Sequence, residues 1–168
     1  MTETAPVRVI LALGTNMGDR LENLRAAIAR LRPFVDIEKI SPVYETASAY
    51  VTDQPDFLNA TLTGTTHLEP LPLLWMVKDM ESDIGRVPTF RYGPRVIDID
   101  ILFYDEQIVD LPELTIPHPR IAERDFVLYP LNDIAPDLRH PQNGLTIAEM
   151  LARLPRTSPA PVRQNEAL

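Results

Sequence analysis

Between Ile97 and Ile101 the chain alternates apolar and acidic residues one for one: Ile97, Asp98, Ile99, Asp100, Ile101. A period of two reads as a β-strand. Successive side chains on a strand point to opposite faces, so the isoleucines share one face and Asp98 and Asp100 share the other. Aspartate is a poor strand former, and two carboxylates on one face repel unless a cation sits between them. Hard cations such as Mg²⁺ are held by one or two protein carboxylates together with substrate phosphates. Just upstream, Arg86, Arg91 and Arg95 gather positive charge in a chain whose net charge is −8. Carboxylates for a metal beside arginines for phosphate point to phosphoryl chemistry. A half-exposed strand with solvated aspartates is the plain alternative.

The length of 168 residues suits one domain with a real core. The expected division is a single domain over 1–156 and a disordered tail over 157–168, where Pro, Arg and polar residues dominate. No apolar run is long enough to span a membrane, and no secretory signal is read at the N-terminus, so the expected location is cytoplasmic. The absence of cysteine excludes disulfides, thiolate catalysis and thiolate metal sites. The acidic balance argues against nonspecific nucleic-acid binding, which needs a basic surface. An anionic substrate has to be met by local arginines and metal ions.

Along the chain, Val7 to Leu13 reads as a buried strand and Asp19 as the N-cap of a helix carrying Leu21, Leu24, Ala27, Ile28 and Leu31. Phe34 to Thr46 reads as a strand interrupted by Pro42, and Phe57 to Thr65 as another. Glu69 to Ile84 shows helical spacing, with Gly85 as its stop. After the aspartate strand come a tight turn at Asp105-Glu106, a short strand at Gln107 to Val109, a proline-rich stretch, a short helix at Phe126 to Leu131 and a last helix at Thr146 to Leu154. The order strand, helix, strand, strand, helix, strand fits an α+β sandwich of the ferredoxin-like type, a mainly antiparallel sheet with helices packed on it.

Three further constellations bear on chemistry. Gly14-Thr15-Asn16-Met17-Gly18 follows a strand and precedes a helix, but it lacks the lysine of a P-loop and the third glycine of a dinucleotide fingerprint. It reads as a tight turn. Phe57 and Asn59 are two apart and share a strand face, near Thr46; an aromatic plane beside an amide suits a flat heteroaromatic ligand, or else Phe57 is core and Asn59 a capping group. His118 lies between Pro117 and Pro119, with Arg120 and Arg124 following. A rigid histidine with arginines could bind phosphate oxygens, or it is a surface histidine in a proline-rich loop.

Taken together, these segments resemble the hydroxymethyl-dihydropterin pyrophosphokinase family of folate biosynthesis. The likeness runs from about Val9 to about Leu138. It rests on Leu13-Gly14-Thr15-Asn16-Met17-Gly18, on Ser41-Pro42-Val43-Tyr44-Glu45-Thr46 and on Asp53-Gln54-Pro55-Asp56-Phe57-Leu58-Asn59-Ala60. It continues in Arg91-Tyr92-Gly93-Pro94-Arg95-Val96-Ile97-Asp98-Ile99-Asp100, in Leu114-Thr115-Ile116-Pro117-His118-Pro119-Arg120, and from Arg124-Asp125-Phe126 to Pro136. The resemblance implies transfer of pyrophosphate from ATP to the hydroxymethyl group of the dihydropterin, leaving AMP; a monomer is expected. It implies two Mg²⁺ ions on Asp98 and Asp100, and the pterin between Phe57 and Phe126 with Asn59 and Thr46 at its edge. It assigns Arg86, Arg95, His118 and Arg124 to the triphosphate, with Arg86 and Arg95 counted catalytic beside the two aspartates. It puts Arg91 on a closing loop and Glu81, Ile101 and Thr115 at nucleotide-site positions. Pro88, Tyr92, Lys78 and the segment Ala47-Ser48-Ala49-Tyr50 depart from the members of the family best known to us. A catalytically dead binding module and a nucleotidyltransferase are the competing classes. The first predicts loss of the carboxylates or arginines that are present; the second leaves Phe57, Asn59, His118 and Phe126 without a role.

Overall fold

The apolar run at the start of the chain becomes the strand at the centre of the sheet. β1 (Val7–Thr15) pairs antiparallel with β4 (Phe57–Thr66) on one side and β5 (Asp98–Tyr104) on the other. From Val9 to Leu13 both of its faces are covered, which is why the sequence there is continuously apolar and does not alternate. The structure is a computed structural model and describes residues 5–47, 54–85, 96–155 and 160–168. The interruption expected at Pro42 is real: β2 (Asp36–Ile40) and β3 (Tyr44–Thr46) are separate strands, and both pair antiparallel with β4. β6 (Val109–Asp110) and β7 (Thr115–Ile116) form a two-stranded ribbon of their own.

α1 (Arg20–Leu31) begins at Asp19, whose carboxylate accepts the Glu22 N–H at 3.2 Å. α2 (Pro70–Ile84) starts with proline, whose missing N–H is no loss in a first turn. It ends at Gly85, where φ of 120° would strain any residue with a Cβ. These two helices cover one face of the sheet, burying Val9, Leu11, Leu13, Leu62, Ile99 and Ile101 against Leu24, Leu31, Leu73 and Val77. α3 (Asp125–Ile134) and α4 (Ile147–Arg153) cover the other face, where Ile10, Ala12, Leu102 and Phe103 meet Val127, Leu128, Leu131, Ile147 and Met150. The order β5-β1-β4-β3, with helices after β1 and β4, is the ferredoxin-like arrangement expected. Among the described residues no helix is long and apolar enough to cross a membrane.

β5 carries a bulge. Its register with β1 shifts between Ile10, opposite Phe103, and Leu11, opposite Ile101. The extra residue puts Leu102 and Phe103 both on the α3 side while Ile101 and Tyr104 stay with α1 and α2. Asp98 and Asp100, ahead of the bulge, keep strict alternation with the isoleucines.

Three local expectations are corrected. The strand near 107 lies at Val109–Asp110, after the turn at Asp105 with its positive φ of 53°. The helix at Phe126 to Leu131 extends to Ile134 and contains Pro130. And 160–168, expected within a disordered tail, contains β8 (Val162–Arg163), which pairs antiparallel with β3. Two residues have no period to read, and their strand exists only because β3 offers an edge.

Candidate active site

The register of the sheet puts the candidate residues on one line. Gly14 of β1 lies opposite Asp98 of β5 on one side and Asn59 of β4 on the other, and Asn59 lies opposite Tyr44 of β3. One step along, Ala12 lies opposite Asp100 and Thr61. The small residues Gly14 and Ala12 thus form the floor between the aspartates and the Asn59 side. A Cβ on Gly14 would stand 3.0 Å from Asn59 Oδ1 and 3.6 Å from Phe57 Cδ1, so both side chains reach over β1 only because that position is bare.

Asn59 is buried, and its amide donates to the Thr46 hydroxyl at 2.8 Å. β3 therefore fixes the orientation of the amide. Phe57 is half-buried on the same face, and Phe126, half-buried, stands in the first turn of α3, the helix that packs over β4. Asn16, almost wholly buried, donates to Gln54 Oε1 at 3.2 Å and to the Pro55 carbonyl at 3.1 Å. It ties the turn after β1 to the residues that lead into Phe57.

On the aspartate side, Arg124 lies with Nη1 3.7 Å from Asp100 Oδ2 and its guanidinium 5.4 Å from the centre of the Phe126 ring. Burial, and then the charge of Asp98, push the Asp100 carboxyl up to about 7, against the opposing pull of Arg124 and Lys78. Burial therefore makes full ionisation of the pair costly unless a cation meets it. Two such carboxylates fit a cation that arrives on phosphate. Among the described residues no group of three or more His, Cys, Asp or Glu side chains gathers into an all-protein cage.

His118 is brought to this side by its backbone, whose N–H donates to the Leu102 carbonyl of β5 at 3.0 Å. Burial, then Arg124, lower it to about 4. Its Nδ1 accepts the Arg120 N–H at 3.2 Å, so the neutral ring carries its proton on Nε2 as a donor. Glu81 of α2 is fully buried and works on the open edge of β5: Oε2 accepts the Ile99 N–H at 2.7 Å, and Oε1 lies 3.2 Å from Lys78 Nζ.

The family model for 7,8-dihydro-6-hydroxymethylpterin-pyrophosphokinase matches residues 10–136. The chain belongs to that family. It is 44% identical over 133 residues to the 2-amino-4-hydroxy-6-hydroxymethyldihydropteridine pyrophosphokinase of Aquifex aeolicus, covering 79% of this chain and 83% of that one. It is 45% identical over 147 residues to the folic acid synthesis protein FOL1 of Dictyostelium discoideum, covering 88% of this chain but only 22% of that protein. The crystal structure of Plasmodium falciparum HPPK-DHPS shares the fold, with a TM-score of 0.74 at 18% identity over 90% of this chain and 45% of that one. The chain thus spans a minor part of the longer relatives and most of the short one.

Against the sequence reading, Asp98, Asp100, Arg124, Asn59, Phe57 and Phe126 stand on one side of the sheet, and Thr46 holds Asn59. Ile101 does not join them: its side chain is in the core under α1 and α2, because it alternates with the aspartates. Thr115 is exposed on β7, at the start of the segment that leads to His118. Arg86, Arg91 and Arg95 lie outside the described residues. Gly14 and Asn16, expected only as part of a tight turn, join the site as well. A glycine inside a strand pattern was the available signal, since it often marks close approach of another group.

Proposed function

We propose that the chain transfers the pyrophosphoryl group of ATP to the hydroxymethyl oxygen of 6-hydroxymethyl-7,8-dihydropterin, in tetrahydrofolate biosynthesis. The oxygen attacks the β-phosphorus, the bond from that phosphorus to the α-phosphate oxygen breaks, and AMP leaves; the products are the pterin diphosphate and AMP. One observation carries this reading: Asp98, Gly14 and Asn59 lie in register across three neighbouring strands. Strands are about 4.8 Å apart, so the backbones at Asp98 and Asn59 stand roughly 10 Å apart, with the Asn59 amide leaning over the bare Gly14 between them. That arrangement suits a flat ring whose edge meets Asn59 and whose hydroxymethyl arm reaches the aspartates.

In this reading Asn59 and Thr46 hold the ring edge, and Phe57 and Phe126 bracket the ring plane. Asp98 and Asp100 would hold Mg²⁺, two ions in this reading, and the metal would supply screening of phosphate charge and a lowered pKa for the hydroxyl. Arg124, stacked beside Phe126, bridges the pterin side and the phosphate side. His118 offers a neutral N–H donor to a phosphate oxygen, and Arg86, Arg91 and Arg95 supply further positive charge. Glu81 contributes to the nucleotide site by holding the edge of β5 at Ile99, with Thr115 beside it. Such chemistry is mostly positioning and charge stabilisation. The working unit in this reading is a monomer.

Asp98→Ala is the test. It should cut turnover by orders of magnitude while calorimetry with the hydroxymethyl pterin, Mg²⁺ and a non-hydrolysable ATP analogue shows pterin affinity within about tenfold of wild type. Near-normal Mg²⁺-dependent turnover would remove the metal role of the strand.

A further inference from the structure

β3 has three residues, and one of them, Thr46, orients Asn59. So short a strand holds its place poorly at an edge, where backbone opening is easiest. β8 covers that edge: Arg163 lies opposite Tyr44, Val162 opposite Glu45, and the Gln164 N–H donates to the Val43 carbonyl at 2.8 Å. The chain then runs on to α1, where the Ala167 carbonyl accepts from Arg25 at 3.3 Å and Leu168 packs at the margin of the core.

Arg163 makes a second connection. Its Nη2 donates to Asp133 Oδ1 at 2.8 Å, and its guanidinium lies 5.8 Å from the centre of the Tyr44 ring. The Tyr44 hydroxyl donates to Asp133 Oδ2 at 2.5 Å and accepts from Arg163 at 3.4 Å. Burial and the hydrogen bond to Asp133 raise the Tyr44 pKa, which keeps the hydroxyl a donor. Asp133 stands in the last turn of α3, the helix whose first turn carries Phe126. Arg163 therefore joins the strand that orients Asn59 to the helix that carries Phe126.

We propose that β8 and Arg163 position the pterin half of the site by fixing the distance between β3 and α3, so that the C-terminal segment sets pterin affinity. This rests on the reading of the site given above. Arg163 touches no reacting atom in that reading and is a positioning residue. It also lies beyond residues 10–136, the stretch matched by the family model.

The test compares the wild-type chain with Arg163→Ala, Arg163→Lys and a chain ending at Pro161. Arg163 is more than half exposed, so its truncation opens no core. Arg163→Ala and the shortened chain should each weaken binding of the hydroxymethyl pterin, measured with Mg²⁺ and a non-hydrolysable ATP analogue, by about three- to tenfold. KM for pterin should rise in step, with kcat and nucleotide affinity within about twofold of wild type. Arg163→Lys, which keeps the charge facing Asp133, should recover part of the loss. Unchanged pterin affinity in Arg163→Ala, or equal losses for pterin, nucleotide and kcat, would overturn the proposal. If the shortened chain does not fold, the two Arg163 variants decide. Wild-type protein that binds no pterin would remove the functional reading and this proposal together; wild-type binding with unaffected variants would remove this proposal alone.

Discussion

Asn59 does two things at once: it accepts its orientation from Thr46 and presents the rest of its amide over the bare Gly14. Asn59→Ala should weaken pterin binding by about 1–3 kcal/mol, the cost of leaving ring-edge polar groups unpaired, with little change in nucleotide binding, both read by calorimetry. The titrating groups make a second residue-level prediction. Asp100 is raised from 3.8 to about 7, so between those values the native state holds a proton that the unfolded chain has lost, and stability falls as pH rises. His118 is lowered from 6.5 to about 4, so over that range the unfolded chain holds the extra proton, and stability rises with pH. The two oppose each other in metal-free protein. Asp100→Asn removes the falling contribution, so its urea midpoint should climb more steeply than that of wild type between pH 4 and 6.5. Parallel profiles would contradict the raised Asp100. At this scale the sequence showed the paired carboxylates, because period two is local. It did not show Gly14 or Asn16, whose roles depend on which residues of a distant strand lie beside them.

The elements divide in the same way. β1, β4, β5 and the two helices behind them announce themselves by periodicity, and Asp19 and Gly85 bound α1 and α2 where cap chemistry says they should. β8 could not be seen, since it is defined by a partner and not by a pattern. Nor could the bulge, which takes its register from Ile10 and Leu11 of β1. Glu81 ties two elements together, its carboxylate on α2 occupying an edge N–H of β5. Glu81→Ala should lower stability to urea by about 1–3 kcal/mol, since it strands a buried donor. It should also speed hydrogen exchange at Ile99. Unaltered exchange there would mean that β5 does not need the helix to hold its edge.

For the molecule as a whole, the sheet is a plate with a different task on each face. The α1 and α2 side is core apart from the buried Glu81 at the β5 edge, while the α3 side combines a second core with the aspartates, the amide and the aromatic rings. That division follows from alternation along β4 and β5, and it is why the ferredoxin-like order and the paired aspartates could be read together from the chain. The proposed reaction cuts ATP between its α- and β-phosphates and places the β-phosphorus on the hydroxymethyl oxygen. Product analysis tests this most directly, by incubating the protein with Mg²⁺, ATP and 6-hydroxymethyl-7,8-dihydropterin and separating nucleotides and pterins. AMP and pterin diphosphate are expected in equal amounts, with none formed by Asp98→Ala. ADP with a pterin monophosphate, or AMP with free pyrophosphate and unmodified pterin, would contradict it.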